Sequence, residues 1–526
     1  MFFVQFSCVR SIMKHVYFKN ILFFAATFAL GFSANAEEPN ALPNDDLQKI
    51  LDSGKDLVLK KGETYYISRT LALRKNGQKV YTADAKTIKD YAVLKADNPE
   101  MTATLVSRGK NQKIKNITFH GNRYELSPRR GDGMVHVGGK DSGNCEVKEC
   151  FFAYGRMGTL LKLDSPAKGI KVFNCVMFGG GGDCRGNGAA PGESISYWGD
   201  TMTCSAQQTH IKSNLMIDPS DVGIAIFCAP DSLIEENVVA GIAREPLGGF
   251  NMVDRAAPYK VPNAGETYSY DGLVLKNNIV DARGAKVHIA FPMGRQIWGF
   301  GEKNMILRGA TVENNLITGK AMGYGFVVFQ VDNFKVINNK STAIHSGVGD
   351  GTGNLVPPKA AAFYAAKDTY TNCTLQKEFV VSDGYFVRLL RNGKVERKPT
   401  TKFCKYEYTR PEAEAVVETA FVEMLGRYPS SAELEKSIAY LNSPEKPSGD
   451  DFRRSIMNWP EFKKKFPQFK SEDEMHEFRY YRWVEALDAI QNAYLKKTGV
   501  LPTAKQSYAE IWNYFTCKPL NIAKNK

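Results

Sequence analysis

The sequence predicts a mainly β protein, with a parallel β-helix solenoid followed by a small all-α domain. Three features indicate this fold: a strand-like phrase that recurs along the middle of the chain, an asparagine column within that phrase, and helix-capping pairs confined to the last quarter. Short strands that recur about every 24 residues, with insertions, are typical of a solenoid whose coils stack like residues on like.

The recurring phrase has seven copies, which align without gaps and start 23 to 41 residues apart. The copies are residues 147–152, 172–177, 211–216, 234–239, 275–280, 312–317 and 336–341. Their first and fifth columns are apolar, so we predict that the copies stack as strands of one parallel sheet with both columns buried. The fourth column reads Cys150, Cys175 and then asparagine in five successive copies. Asparagine tolerates the left-handed conformation of a sharp turn, and its amide can bond to the asparagines above and below, so this column predicts a turn.

Residues 13–36 have the pattern of an export signal. Lys14 and Lys19 precede an apolar run from Ile21 to Phe32, and Ala34-Asn35-Ala36 reads as a cleavage site. The apolar run has about 12 residues, which is too short to span a bilayer. We therefore expect a signal peptide cleaved after Ala36 and a periplasmic or extracellular mature protein with no membrane span.

The rest of the chain divides by pattern. A short helix near Asp45–Ser53 precedes coils that are recognisable from residue 114 to about 345. Asp383-Gly384 and Asn392-Gly393 read as hairpin turns. The predicted domains are residues 1–36 as the signal peptide, 37–345 as the parallel β-helix, 346–408 as a linker and β-hairpin region, and 409–526 as a helical domain.

The helical domain is predicted from capping boxes and from apolar helix faces. The capping pairs are Thr409 with Glu412, Ser430 with Glu433, and Ser471 with Glu474. The Leu-Gly-Arg-x-Pro phrase at 425–429 and the Trp-Pro-Glu-Phe phrase at 459–462 resemble a small helical module of unknown function in bacterial surface and secreted proteins. The resemblance implies a structural cap or an interaction module without chemistry, which leaves room for a protein partner.

The formal net charge is +13, of which about +9 lies between residues 37 and 404. Such an excess on the solenoid favours an anionic partner, and for an exported protein we expect an acidic polysaccharide and not nucleic acid. A generally basic surface is the alternative interpretation. Cys150 and Cys175 would stack in neighbouring coils, either as a disulfide or as buried free thiols.

The central region resembles the right-handed β-helix family of the pectin-lyase type, and within it uncharacterised secreted members. The phrases that carry the resemblance lie at 218–239, 244–254, 286–299 and 322–339. The resemblance implies a right-handed solenoid and a polysaccharide-related role, because enzymes of this family cleave or epimerise uronate polymers.

Two chemistries of that family are disfavoured by the residues present. Hydrolases of this fold carry paired Asp residues with Gly-His-Gly, whereas the adjacent Asp pairs here, 45–46 and 450–451, lie outside the coils. Alginate epimerases carry Asp-Pro-His-Asp, and this chain has Asp218-Pro219-Ser220-Asp221. A serine cannot serve as the base near neutral pH, so we expect Asp218 simply to bond its own backbone at a turn.

β-Elimination needs a cation for the uronate carboxylate, a base for the α-proton and an acid for the leaving oxygen. The sequence predicts such a site where the long connections 179–204, 241–272 and 283–310 meet. The predicted catalytic residues are Arg244, Asp254, His288 and Arg295, and the predicted substrate-binding residues are Arg185, Asp200, Arg255, Lys286 and Trp298. Each alone also fits a surface charge or a structural ion pair. The prediction is thus a polysaccharide lyase without a cofactor, with a bound calcium ion as an open alternative. The second hypothesis is a non-catalytic polysaccharide-binding or surface-assembly protein.

Overall fold

The fold is a right-handed parallel β-helix whose coils each contribute a strand to three sheets, followed by a helical region. The computed structural model describes residues 44–126, 133–156, 158–181, 199–254, 268–294, 297, 306–347, 359–382, 408–445 and 447–522. The predicted signal peptide lies outside these residues and stays a prediction, as do the predicted hairpin turns.

Sheet A contains the first strand of each coil, and neighbouring strands are parallel. Its strands are β1 (Leu57–Leu59), β4 (Lys79–Thr82), β7 (Lys113–Lys115), β10 (Glu146–Lys148), β13 (Lys171–Phe173), β16 (His210–Lys212), β19 (Leu233–Glu235), β22 (Tyr268–Lys276), β25 (Leu307–Glu313), β28 (Val331–Ile337), β31 (Tyr370–Thr371) and β32 (Thr374–Leu375).

Sheet B follows after one sharp turn in each coil. Its strands are β2 (Thr64–Ile67), β5 (Ala92–Ala96), β8 (Ile117–His120), β11 (Phe151–Ala153), β14 (Val176–Phe178), β17 (Leu215–Ile217), β20 (Val238–Ala240), β23 (Ile279–Ala282), β26 (Leu316–Gly319) and β29 (Lys340–Ser341).

Sheet C completes each coil. Its strands are β3 (Leu71–Leu73), β6 (Leu105–Ser107), β9 (Val135–Gly138), β12 (Thr159–Asp164), β15 (Asp200–Cys204), β18 (Val222–Phe227), β21 (Gly248–Asp254), β24 (Val287–Met293), β27 (Met322–Val328), β30 (Phe363–Ala366) and β33 (Val380–Ser382). Three of these strands, β15, β21 and β24, lie inside the stretches predicted as long connections.

Each recurring phrase forms two strands in two sheets, so the prediction of one sheet is wrong. The register is as predicted, since Val147 pairs with Val172 and Ile211 with Ile234. The chain bends at the third column, whose residues adopt φ near +55°: Glu149, Asn174, Ser213, Glu236, Asn277, Asn314 and Asn338. The first column is fully buried inside the solenoid. The fifth column faces outward on sheet B, because the bend reverses which side chains point inward.

The fourth-column asparagines form the predicted ladder but are not the left-handed residues. The Nδ2 of Asn237 donates to the Oδ1 of Asn278 at 3.0 Å, and Asn278 donates in the same way to Asn315 at 3.0 Å. All five are buried, so the amides satisfy one another inside the solenoid. Cys150 and Cys175 precede the ladder as free buried thiols, and burial raises the pKa of the Cys175 thiol well above its usual value.

The solenoid extends beyond the predicted end near residue 345. Strand β30 pairs in parallel with β27, and β33 pairs in parallel with β30, so the coils continue to Ser382. The first segment also forms complete coils, since β1 to β6 occupy all three sheets.

The helical region follows the predicted caps. Helix α1 (Asn44–Asp52) and α2 (Arg123–Leu126) belong to the solenoid. The later helices are α3 (Arg410–Leu425), α4 (Ser431–Leu441), α5 (Gly449–Met457), α6 (Pro460–Lys465), α7 (Met475–Thr498) and α8 (Ala504–Phe515), with 3-10 turns at Ile88–Asp90 and Glu472–Glu474. The three predicted capping boxes are all present.

The helical region is not packed independently of the solenoid. Helices α7 and α8 cover the outer face of sheet B, where Phe178, Leu215 and Val238 share one buried cluster with Trp483 and Ile511. Residues 42–526 accordingly form one compact unit. The apolar outward face of sheet B thus joins the helical region to the solenoid.

Candidate functional site

The outer face of sheet C carries a row of polar side chains across neighbouring coils. His136 is in register with Lys162, and Lys162 with Thr203. Their strand neighbours Leu161 and Leu163 are buried in the core, so the alternation of a strand turns the polar residues outward. Beyond Thr203 the row becomes apolar at Ala225 and joins a buried apolar cluster on the same face.

Four side chains on this face form what we call the sheet C patch: Arg108, His136, Lys162 and Asp164. The Oδ2 of Asp164 lies 3.2 Å from Nη1 of Arg108 and 3.4 Å from Nδ1 of His136. Its Oδ1 lies 3.4 Å from Nζ of Lys162. Three potential cations thus surround one carboxylate. The Arg108 side chain is 41% exposed and that of Asp164 is 18% exposed, so the patch is open to solvent on the arginine side.

The charge of Asp164 is strongly stabilised. Burial raises the pKa of a carboxyl group, but the hydrogen bond from His136, the charge of Lys162 and the hydrogen bond from Arg108 outweigh it and lower the pKa of Asp164 to about 2. The Nε2 of His136 lies 3.1 Å from the carbonyl oxygen of Gly133, which can only accept, so Nε2 carries a hydrogen. The Nδ1 of His136 faces the Oδ2 of Asp164.

Glycine is required beside Asp164. Gly138 is in register with Asp164 and has φ of +131°, and a Cβ there would lie 2.4 Å from the carbonyl oxygen of Asp164. The carbonyl of Gly138 accepts from Nη1 of Arg108 at 2.8 Å, which directs the guanidinium to Asp164. The backbone thus orients the arginine.

Two of the predicted site residues lie instead at the junction of the solenoid with helices α3 and α5, and a third, His288, lies close to them in sequence. Lys286 pairs with Glu412 of α3 at 2.8 Å, and both side chains are almost fully buried. Arg244 lies 3.8 Å from Asp450 of α5, and both are 1% exposed. His288 lies 3.7 Å from Glu245, again buried. The structure brings the three residues to one region, where their charges face partners within the protein.

Asp218 is also part of this junction. Its Oδ1 accepts from the backbone N–H groups of Ile242, Ala243 and Arg244, and its Oδ2 pairs with Arg479 of α7 at 2.7 Å. The expectation that Asp218 bonds its own backbone is wrong, because its carboxylate reaches the next coil and the helical region.

The other predicted site residues are only partly described. Asp200 begins β15 and accepts from the hydroxyl of Thr203 at 3.0 Å, one strand away from the sheet C patch. Asp254 ends β21, and its side chain is not among the described parts. Arg185, Arg255, Arg295 and Trp298 lie outside the described residues. Their assignment to the site stays a prediction.

None of the four patch residues was predicted from the sequence, although a signal existed. The runs Val-His-Val at 135–137 and Leu-Lys-Leu-Asp at 161–164 place a polar side chain between apolar ones at the period of a strand. Within the described residues, no group of three or more His, Cys, Asp or Glu side chains is arranged to bind a metal ion. The helices in the described part of the chain are each too short or too polar to cross a membrane.

Comparisons with known proteins give no family. No protein-family model matches the chain, and no curated protein matches it. Among solved structures, an alginate lyase from Paenibacillus sp. str. FPU-7 is 12% identical, over 58% of this chain and 97% of that chain, with a TM-score of 0.33. The Dettilon tailspike protein is 14% identical over 64% of each chain, with a TM-score of 0.37. The catalytic unit of a GH87 alpha-1,3-glucanase from Streptomyces thermodiastaticus strain HF3-3 is 12% identical over 66% of this chain and 71% of that chain, with a TM-score of 0.31. At this level of similarity, the activities of those proteins are not transferred to this chain.

Proposed function

We propose that this protein is an exported polysaccharide-active protein that cleaves a uronate-containing polysaccharide by β-elimination at the sheet C patch. The observation that supports the proposal is the arrangement of Arg108, His136 and Lys162 around the single carboxylate of Asp164 on an outward face. An anionic sugar ring needs cations to bind it, and elimination needs only proton transfers beyond that.

Each patch residue has a role in this reaction. Arg108, the most exposed, binds the uronate carboxylate and makes the α-proton more acidic. In its neutral form His136 takes that proton, the C–O bond to the departing sugar breaks, and a carbon–carbon double bond forms in the ring. Lys162 donates a proton to the leaving oxygen. Asp164 stays ionised and stabilises the imidazolium, so it is a positioning residue.

Hydrolysis with a pair of carboxylates is disfavoured on this face. Asp200 is in register with Thr159, and Asp164 follows five residues further along the same strand. At a rise of about 3.3 Å per residue this separates their backbones by roughly 16 Å. The paired carboxyl groups of glycosidases are about 5 to 10 Å apart.

The proposal is tested by ultraviolet absorbance of the unsaturated uronate product, measured with polygalacturonate, alginate and glucuronate polymers. We expect His136→Ala to lower kcat by about 10² to 10⁴-fold, the usual contribution of a general base. Arg108→Gln should mainly raise KM. Asp164→Asn should change the pH profile of kcat as well as its size.

A non-catalytic binding protein is the second candidate. The observation that favours it is that Arg108, His136 and Lys162 are each paired with Asp164. In that case the wild type would bind an acidic polymer without releasing unsaturated product, and Arg108→Gln would weaken binding while His136→Ala would not. Wild-type product formation by His136→Ala would contradict the proposed mechanism.

A further inference from the structure

Where the first coils pass from sheet C to sheet A, between the end of β3 and the start of β13, lie six lysines that we call the lysine edge: Lys75, Lys110, Lys113, Lys140, Lys168 and Lys171. All six are exposed, and none forms an ion pair with any residue in the described parts of the chain. The acidic side chains in the same turns are Asp141 and Glu146. The edge therefore has a net positive charge that the protein leaves uncompensated.

The lysines follow the axis of the solenoid. The turn backbones stack in register, since Lys110 pairs with Gly143 and Gly143 with Lys168. Lys113 and Lys171 likewise flank Glu146 on successive strands of sheet A. Neighbouring coils are about 4.8 Å apart, so corresponding lysines two coils apart are separated by roughly 10 Å. A row of charges at such intervals matches an extended polymer with a charge on each unit.

The edge occupies the same coils as the sheet C patch. Arg108 precedes Lys110 by two residues, and Asp164 precedes Lys168 by four. In the following coils the positions that stack on Lys168 are Gln207, Pro230 and Asp271. Five of the six lysines of the edge thus lie in the coils that carry the patch.

We propose that the lysine edge is an exosite that binds a stretch of an anionic polysaccharide outside the reaction site. The inference rests on the proposed function for the identity of its ligand as a uronate polymer. Each exposed lysine contributes little alone, but several contacts on one chain add together and favour long polymers over short ones. Because the contacts face solvent, salt weakens them.

The test compares two quadruple variants of the full chain in binding to fluorescently labelled polygalacturonate, alginate and trigalacturonate. The exosite variant carries Lys110→Gln, Lys113→Gln, Lys168→Gln and Lys171→Gln. The control variant carries Lys335→Gln, Lys340→Gln, Lys367→Gln and Lys377→Gln, which are exposed lysines of the last coils. We expect the exosite variant to bind both polymers about tenfold more weakly at low salt, with less dependence on salt, and to bind trigalacturonate like the wild type. The control should bind like the wild type.

Three results would overturn the exosite: equal loss in both variants, equal loss for trigalacturonate and polymer, or wild-type binding to vesicles of anionic phospholipid but not to either polymer. Failure of the proposed function is separate. If the exosite variant loses polymer binding while no polymer yields unsaturated product, the exosite stands and the elimination does not. If His136→Ala abolishes product while the exosite variant binds the polymers like the wild type, the proposed elimination stands and the exosite does not.

Discussion

Sheets B and C are built by the same coils, yet their outer faces differ in chemistry and in cover. The outward side chains of sheet B, such as Phe151, Phe178 and Leu215, are apolar and lie buried under α7 and α8. Those of the middle coils of sheet C include His136 and Lys162, which are polar and meet no covering helix among the described residues. An apolar outward column on a solenoid therefore indicates a covering layer, whereas a polar one between apolar neighbours indicates a site.

The two faces also use charge differently. At the covered face Glu423 accepts from Arg453, Arg479 and the indole of Trp483, each at 2.7 Å, and all four side chains are fully buried. Burial raises the pKa of a carboxyl group, but the two arginines outweigh it and lower the pKa of Glu423 to about 2. Asp164 on sheet C is ionised for the same electrostatic reason while remaining in reach of solvent. We infer that the first network stabilises the junction and that the second is available for chemistry.

Removal of the helices that cover sheet B should have the largest effect on stability. A chain ending after Ser382 exposes the apolar face of sheet B, and each large side chain uncovered loses roughly 1.5 to 3 kcal/mol of burial. We expect this chain to aggregate, as measured by soluble yield and size-exclusion chromatography, where the full chain is the control. A monomeric truncated chain with cooperative thermal unfolding would show that sheet B does not need its cover.

Breaking the buried ion pairs of Glu423 should have the next largest effect on stability. Glu423→Gln leaves Arg453 and Arg479 short of a counter-charge inside the protein, and we expect the free energy of unfolding in urea to fall by about 3 to 5 kcal/mol. The matched control is Glu435→Gln, which removes an exposed partner of Arg410. It should leave the free energy of unfolding unchanged within error. Similar losses in the two variants would remove the distinction between buried and exposed pairs.

Acid should destabilise the protein chiefly through the covered face. The folded-state pKa of Glu423 is lowered from 4.5 to about 2, so its contribution is complete above about pH 4.5 and is lost as the pH falls toward 2. We expect urea midpoints to decline over that interval. The decline should be shallower in Glu423→Gln than in the wild type. Asp164→Asn should reduce the decline of the urea midpoint less than Glu423→Gln does. The reason is that the pKa of Asp164 is lowered from 3.8 to about 2, which is a smaller shift than that of Glu423.

Changes on the open face should have the smallest effect on stability. His136→Ala removes the contacts of a buried imidazole with the carbonyl of Gly133 and with Asp164, and we expect a loss of about 1 to 2 kcal/mol in urea unfolding. The same variant should show the large loss of kcat proposed above. A loss of stability as large as that of Glu423→Gln would instead assign His136 a structural role.

Much of the fold was predictable because stacking requires like residues at like positions. The first column and the ladder of Asn214 to Asn339 follow directly from that requirement. The bend was predicted one residue too late, because the left-handed positions are occupied by Glu149 and Ser213 as well as by asparagine and so form no visible column. Sheet C was missed because the spacing between its strands varies with the insertions.

The site was harder to predict for a physical reason. Arg244, His288 and Lys286 stand out in the sequence because apolar segments surround them, and all three are buried. Lys286 and Arg244 face acidic residues of helices α3 and α5. His136 and Lys162 come from different strands, and only the parallel register places them together. Sequence alone gives no such register for sheet C.

The asparagine ladder has a consequence for how such a protein changes in length. Each asparagine of the ladder bonds only to the coils directly before and after it, so a duplicated coil inserted between Asn278 and Asn315 would bring its own asparagine and find the same partners. Gain or loss of whole coils is thus an accessible step in evolution, whereas a single inserted residue breaks the stacking. The helices over sheet B limit that freedom, because a new coil beneath α7 and α8 would displace the side chains that they cover. New coils are therefore best tolerated near the C-terminal end of the solenoid.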